Sequence, residues 1–298
     1  MEDGYRGRKT GAPPERPRGT EVMQHALSTH LLVNHRLNTV WMERIREAGI
    51  PSIEIFCARQ HFDYRNQEQV NELAYWFRDA ELQLHALHSP MFNDDCWGRT
   101  GPGAVVSLTE LDKPKRLLCV DEVKRALEVA EKIPCRYLIQ HLGVTGEEYD
   151  ERKLDAAFTA LEEVILFAGY RGVKVLIENI PNRLSTADRL KYFQEITHLD
   201  LHYCFDVGHA RIEGSVEASF QILKDRIRST HVHDNDGVND DHLFPLLAPA
   251  GSIDWKQTMG LFKGREDQFP LVLELRDSPD FPNPIMAARE VLDKLEAL

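Results

Sequence analysis

Apolar residues follow two rhythms from Gln24 to the C-terminus: short apolar or alternating runs, and longer stretches with apolar residues at helical spacing. Runs of the first kind predict β-strands, and stretches of the second kind predict helices. Each predicted strand is followed by a predicted helix. The eight predicted strands are His25–Leu31, Ser52–Phe56, Leu82–Leu87, Tyr137–Gln140, Lys174–Ile177, His202–Phe205, Ile227–Thr230 and Leu271–Leu273.

The predicted helices are Thr39–Ala48, Gln67–Ala80, Asp121–Lys132, Asp150–Tyr170, Ala187–Thr197, Val216–Lys224, Asp254–Phe262 and Pro284–Leu298. Gly49, Gly172 and Gly264 stand where a helix gives way to the next strand, as expected of such turns. The repeated strand–helix unit predicts a parallel sheet closed into a (β/α)8 TIM barrel. Two doubly wound domains are disfavoured, because the middle of the chain has no Gly-, Pro- or Ser-rich linker and no GxGxxG or Walker-type loop.

The composition of the chain predicts a short N-terminal arm followed by one domain. Residues 1–20 are rich in Gly, Pro and Arg and almost free of large apolar residues, which predicts a disordered arm. Residues 21–298 are expected to form one catalytic barrel domain. A long segment between the third strand and its helix, Asp94–Lys115, is a candidate flap over the catalytic face.

Charge and cysteine usage narrow the classes of partner and compartment. The net charge of -12 gives no general attraction to nucleic acid or anionic membranes, so neither is expected as a partner. The five cysteines show no CxxC spacing, which predicts reduced thiols and a cytoplasmic location. No apolar run approaches the roughly 20 residues of a membrane span, and no leader pattern is present. A homodimer is expected from the size of the barrel.

Six consecutive predicted strands end beside an imidazole or a carboxylate. In a (β/α)8 barrel the chemistry collects at the carboxyl ends of the strands. One such residue has an ordinary explanation, since a histidine can be capped by a carbonyl and an aspartate can cap the next helix. Six in succession favour a metal centre at the barrel axis, because these are ligands of divalent metals. They are His88, His141, Glu178, Asp206 with His209, His231 with Asp240 and His242 in its following loop, and Glu274.

The motifs HSP, QHLG, IEN, FDVGHA, HVHDND with DDH, and LEL resemble the xylose isomerase-like TIM barrel superfamily from roughly Gln24 onward. This superfamily includes sugar and sugar-phosphate isomerases and epimerases, and also apurinic endonucleases of the endonuclease IV type. For epimerase-like relatives the resemblance implies one divalent ion (Mn, Zn, Mg or Co). Its ligands would be Glu178, Asp206, His231 and Glu274. Endonuclease-like relatives add ligands for up to three ions, which correspond here to His88, His141, His209, Asp240 and His242.

The chain departs from the family pattern at two places. Relatives usually carry a GEG turn before the IDW segment, whereas Pro249, Ala250 and Gly251 stand here, so an acidic residue is missing. Ser89, Pro90 and Met91 follow His88 without the aromatic residue expected of the endonuclease. The second departure disfavours the handling of a DNA duplex.

The implied chemistry uses Glu178 and Glu274 as catalytic residues on two sides of a carbohydrate substrate. One would remove a proton next to a metal-polarised carbonyl and the other would return one, giving an isomerase or epimerase of a sugar, sugar phosphate or polyol through an enediolate. His233 and Arg276 are expected to face the axis and bind substrate, whereas Asn179 and Asp234 point away. The alternative is a zinc-dependent phosphodiesterase acting on abasic DNA. A non-catalytic metal protein is disfavoured, because structural zinc favours thiolates.

Overall fold

The computed structural model describes residues 23–298, so the predicted arm, residues 1–20, lies outside the described residues. Eight parallel strands form one sheet in the order β7-β6-β5-β4-β3-β2-β1-β8, with the helices outside it, and this confirms the predicted TIM barrel. The strands are β1 (His25–Ser28), β2 (Ser52–Phe56), β3 (Gln83–His88), β4 (Tyr137–His141), β5 (Lys174–Glu178), β6 (His202–Asp206), β7 (Ile227–His231) and β8 (Leu271–Leu273).

The helices begin where polar side chains cap them. Asn38, Asn66, Asp150 and Asp254 each accept a hydrogen bond from a backbone N–H in the first turn of the following helix. The helices are α1 (Thr39–Glu47), α2 (Gln67–Asp79), α3 (Lys113–Leu127), α4 (Glu151–Gly169), α5 (Ala187–Ile196), α6 (Val207–Ile212), α7 (Val216–Leu223), α8 (Trp255–Phe262) and α9 (Pro284–Glu296). No described helix is long and apolar enough to cross a membrane.

Most element boundaries agree with the sequence-based expectation to within one or two residues, and the larger differences concern β1, α3 and α6. The first strand ends at Ser28, whose hydroxyl accepts from the His30 N–H and starts a short 3₁₀ helix, Thr29–Leu32. Helix α3 begins at Lys113 rather than Asp121, because Asp112 caps it and a proline occupies its first turn. Helix α6 was not predicted, and it starts directly after β6, where Asp206 accepts from the backbone N–H of His209.

The interior of the barrel has two layers. A buried apolar cluster of Ala86, Ile139, Leu176 and Cys204 fills the barrel below its catalytic end, and we call it the apolar floor. Alternate residues of a strand share a face, so the residues two positions further along lie directly above this floor. Those residues are His88, His141, Glu178 and Asp206. Because alternate residues of a strand share a face, the predicted ligands lie directly on the apolar floor.

The closure of the barrel between β7 and β8 depends on few hydrogen bonds. These strands meet at a single bridge, Val232 with Leu273. The Val232 N–H donates to the carbonyl of Val272 at 2.8 Å, and the Glu274 N–H donates to the carbonyl of Val232 at 3.3 Å. The Thr230 hydroxyl adds a bond to the carbonyl of Pro270. By contrast, β4 and β5 pair along five consecutive residues.

Candidate metal centre

Four buried ligands from β5 to β8 meet at the axis of the barrel. The Nδ1 atom of His231 lies 3.0 Å from Glu178 Oε1, 3.2 Å from Glu274 Oε2 and 3.7 Å from Asp206 Oδ2. One ligand atom from each of the four lies within 4.8 Å of the others. We call Glu178, Asp206, His231 and Glu274 the first group. The structure thus brings together the four residues that the resemblance implied for one divalent ion.

A second group shares Glu178 with the first. The Nε2 atoms of His141 and His88 lie 3.1 Å and 3.5 Å from Glu178 Oε2. The Nδ1 atom of His88 lies 2.9 Å from the carbonyl oxygen of Ser89, which can only accept, so Nδ1 carries the proton and Nε2 is free to bind a metal. The second group is therefore His88, His141 and Glu178, with Glu178 offering one oxygen to each side.

A third group forms around Asp240 in the loop after β7. The Nε2 atoms of His209 and His242 each lie 3.3 Å from an Asp240 oxygen, and the Nε2 atom of His233 lies 3.8 Å from Asp240 Oδ1. The third group is His209, His233, Asp240 and His242. The structure places His233, predicted as a substrate-binding residue, among these candidate ligands. Arg276 is exposed at the cavity mouth, where it donates to the carbonyl oxygen of Asp240 at 3.1 Å.

Two buried residues that do not face the axis hold the ligands in place. The Asn179 side chain donates to the carbonyl of Asp206 and accepts from its N–H, both at 2.9 Å. Asp234 accepts from the backbone N–H groups of Ser252 and Ile253 and from the indole N–H of Trp255. These bonds fix the end of β6 and the long loop that follows β7.

Sequence reasoning missed Glu54 and His30. Glu54, on β2, is 0% exposed, accepts from the Ser28 hydroxyl and lies 3.1 Å from His231 Nε2. Since Glu54 occupies Nε2, the Nδ1 atom of His231 is the one presented to the first group. His30 is also buried, with Nδ1 3.0 Å from the carbonyl of Leu275. A lone acid inside the apolar run SIEIF was the available signal for Glu54, whereas His30 lay in a segment predicted as strand.

The charges of the site stabilise one another. Burial raises the pKa of Glu178, but the imidazoles of His231 and His141 outweigh burial and hold that pKa well below its ordinary value. Burial lowers the pKa of His209, but the carboxylates of Asp206 and Asp240 outweigh it and hold that pKa well above its ordinary value. Ionised carboxylates thus face protonated imidazoles, and a bound dication would displace those protons.

The donor set fits a divalent metal ion. Three buried side-chain atoms of the site, Asp206 Oδ2, His233 Nε2 and Asp240 Oδ1, form no hydrogen bond of good geometry within residues 23–298, although His233 Nε2 lies 3.2 Å from Asp206 Oδ1 and Asp240 Oδ1 lies 3.3 Å from His242 Nε2. A buried polar atom without a partner costs roughly 1–3 kcal/mol, and a bound ion would offset that cost. Imidazole nitrogens and carboxylate oxygens suit zinc, manganese and related ions.

A small cavity of about 120 Å³ opens above the ligands. Its walls include aromatic residues, Phe56 from β2 and Trp97 from the segment predicted as a flap, and its base includes Glu178 and Glu274. The side chains of His30 and Arg276 also border it. The cavity therefore joins acidic groups, imidazoles and one guanidinium in a confined space.

Comparisons with known proteins agree with this architecture. The family model of the xylose isomerase-like TIM barrel matches residues 42–298. The chain is 26% identical over 214 residues to the uncharacterized protein MJ1311 of Methanocaldococcus jannaschii, and the match covers 68% of each. Matches to two further curated relatives cover 64% and 61% of their lengths, so the chain spans about two thirds of these proteins.

Solved structures resemble the whole described barrel. A D-tagatose 3-epimerase-like protein superposes with a TM-score of 0.72 at 22% identity, covering 92% of this chain and 97% of that one. The IOLI protein with a bound zinc atom superposes with a TM-score of 0.68 at 18% identity, covering 92% and 96%. At these identities the likeness establishes the shared fold.

Proposed function

Because the chain belongs to the xylose isomerase-like TIM barrel family, we propose that it is a divalent-metal-dependent isomerase or epimerase of a sugar, sugar phosphate or polyol derivative. The proposal rests mainly on the position of two glutamates of the first group, which approach the same imidazole and border the cavity. Glu178 and Glu274 approach the same nitrogen of His231, at 3.0 and 3.2 Å, and both border the cavity. A substrate in the cavity would therefore meet a carboxylate from β5 and another from the end of β8.

The two glutamates have different surroundings, which suggests different roles. Both oxygens of Glu178 are engaged, Oε1 by His231 and Oε2 by His141. Glu274 Oε2 lies 3.2 Å from His231 Nδ1 and 3.8 Å from His242 Nδ1, and neither contact involves Oε1. Glu274 therefore has an oxygen free to accept a proton from the substrate, and Glu178 would be held in a fixed orientation opposite it.

The reaction follows from where the proton is returned. An ion held by Glu178, Asp206, His231 and Glu274 would supply Lewis-acid polarisation of a substrate carbonyl, which acidifies the neighbouring C–H. Glu274 takes that proton. A proton delivered by Glu178 to the opposite face of the same carbon would give an epimer, and return of the proton from Glu274 to the adjacent carbon would interconvert an aldose and a ketose.

The cavity supports a small substrate. Ligand pockets commonly span roughly 300–1000 Å³, whereas this cavity is about 120 Å³. Arg276 at the mouth offers a guanidinium for a phosphate or carboxylate group. The net charge of -12 opposes a polyanionic substrate such as DNA.

Solvent exchange tests the proposal. The zinc- or manganese-loaded protein in D₂O, screened against ketoses and inositol derivatives, is expected to incorporate deuterium at a carbon next to a carbonyl. A chelator should abolish the exchange, and added metal should restore it. Glu274→Gln should abolish it at unchanged folding, whereas Glu72→Gln, a change on α2 far from the cavity, should not. Exchange that survives both the chelator and Glu274→Gln would refute the assignment.

A second candidate rests on a separate observation. The second and third groups complete the nine ligands that the resemblance to endonuclease IV-type enzymes implied, so a zinc-dependent phosphodiesterase is the alternative. It requires three zinc ions, together with cleavage of a duplex containing an abasic site. Absence of both binding to and cleavage of such a duplex at low salt, where phosphate contacts are strongest, would exclude it.

A further inference from the structure

A second cavity, of about 230 Å³, adjoins the small cavity above the candidate ligands. We call it the side cavity. Its lining includes Ser89, Phe92, Val105, Val106, Gln140 and Val144. Met91, His141 and Thr145 border both cavities, so a ligand in one can extend into the other. A protein cavity of roughly 150 Å³ can bind benzene, so the side cavity has room for one aromatic ring.

The walls of the side cavity are mainly apolar and are held by backbone hydrogen bonds. Residues 91–93 and 104–106 form a short antiparallel ladder with two hydrogen bonds of 2.8 and 2.9 Å, and Phe92 bridges to Val105 within it. Val144, from the loop after β4, adds an apolar side chain that is 38% exposed. Apolar walls held in this way favour an apolar occupant.

Two buried polar residues of the side cavity each have an oxygen without a hydrogen bond. Ser89 is 2% exposed and Gln140 3%, and within residues 23–298 neither Ser89 Oγ nor Gln140 Oε1 forms a hydrogen bond. The two residues are neighbours, because the Ser89 N–H donates to the carbonyl of Ile139 at 2.8 Å. Gln140 Nε2 donates to the carbonyl of His141 at 2.9 Å, so the amide oxygen is the atom left free.

Both of these side chains are directed away from the candidate metal centre. Ile139 lies in the apolar floor and His141 belongs to the second group, so the intervening Gln140 faces the other side of β4. Ser89 likewise follows His88, which belongs to the second group. The side cavity therefore lies beside the candidate ligands and leaves the space between them to an ion.

We propose that the side cavity binds the non-reacting part of the substrate, an apolar group about the size of one aromatic ring that carries a hydrogen-bond donor next to an acceptor. The donor would bond Gln140 Oε1, and the acceptor would receive the proton of the Ser89 hydroxyl. A ring bearing a carboxamide has both groups. Burial of the ring would supply affinity, and the two hydrogen bonds would fix its orientation.

This inference rests on the proposed function, because it assigns the reacting end of the substrate to the smaller cavity. Binding to the side cavity can nevertheless be measured without turnover. Titration calorimetry of the zinc-loaded full chain should show benzamide binding roughly 3- to 10-fold more tightly than N,N-dimethylbenzamide, which has no N–H to donate. Gln140→Leu should remove that preference. Ser89→Ala, which breaks no hydrogen bond of the described fold, should weaken benzamide binding by a similar factor.

A matched pair of variants locates the binding. Val144→Trp places a larger side chain in the side cavity at a partly exposed position, so it should abolish benzamide binding. Val40→Trp, at a 58% exposed position of α1 that borders neither cavity, should leave it unchanged. Benzamide that binds Val144→Trp as well as wild type, no measurable binding to wild type, or equal affinities for the two amides would each overturn the proposal.

The deuterium-exchange assay then separates this proposal from the isomerase assignment. A 6-benzamido-6-deoxyketose should show a KM at least about 10-fold below that of its parent ketose, the effect of a single methylene group in a hydrophobic pocket. Val144→Trp should remove this difference, and a difference that persists in Val144→Trp would overturn the proposal. If no ketose exchanged deuterium, the isomerase assignment would fail, while the benzamide titrations would still decide whether the side cavity binds such a group.

Discussion

The two layers inside the barrel are built by the same four strands, β3 to β6, and differ in the polarity and charge of their side chains. The apolar floor of Ala86, Ile139, Leu176 and Cys204 has no ionisable group other than a buried thiol. Two residues along each strand, the side chains become His88, His141, Glu178 and Asp206. A step of two residues keeps the same face but approaches the end of the strand, where loops replace the barrel wall. The floor is therefore expected to determine stability, and the upper layer metal binding.

The largest effect is expected from Glu178→Gln in the upper layer. Glu178 belongs to both the first and second groups, so its loss removes a charge from each. We expect about a 10³-fold loss of kcat/KM, comparable to the loss of a key charge-stabilising group, with the first-group ion lost in elemental analysis. Near-normal turnover with full metal content would contradict the separation of the two layers.

Leu176→Ala, two residues earlier on the same strand, should have the opposite effect. Leu176 is fully buried in the apolar floor, so truncation leaves a cavity. We expect a loss of about 3 kcal/mol in the free energy of unfolding in urea, with metal content per folded chain unchanged. If Leu176→Ala instead lost its metal at unchanged stability, the floor would have to be counted as part of the site.

A smaller effect is expected from Asp234→Asn, which tests the support around the upper layer. Asp234 accepts from three backbone N–H groups and from the indole of Trp255, and the amide can no longer satisfy all four. We expect a loss of about 2 kcal/mol in thermal or urea unfolding.

Asp236→Asn is the matched control for that change, since Asp236 makes only local turn contacts with Val238 and Asn239. It should cost less than about 1 kcal/mol. Equal losses for the two substitutions would show that Asp234 contributes nothing beyond a local turn.

The sequence was informative where a structure depends on neighbouring residues, as with the alternation along a strand or the capping residue of a helix. The eight strands, and the clustering of the candidate ligands at their ends, followed from runs such as VLIEN and FDVGHA, because the carboxyl ends of parallel strands meet at one edge of the barrel. Helix α3 was placed eight residues late, although Asp112 and the following Lys-Pro pair carried a helix-start signal. Glu54 could not be assigned because its role depends on Ser28 and His231, which are distant in sequence.

The surroundings of His233 were likewise not predictable from the sequence. Alternation along HVHDN predicted that it faces the axis, but a side chain that faces the axis can bind substrate or metal. The fold brings Gly208 against its ring and Asp206 Oδ1 to 3.2 Å from its Nε2. Long-range packing of this kind leaves no periodic trace in the chain.

Because few hydrogen bonds join β7 to β8, an ion bound at the first group would also stabilise the closure of the barrel. His231 ends β7 and Glu274 follows β8, so an ion bound by both residues would cross-link the two strands. The third group reinforces the same joint, because the Nδ1 of His242 bonds the carbonyl of Glu274. Loss of metal should therefore loosen the barrel at one line first, and amide exchange would spread outward from Val232 rather than begin everywhere at once.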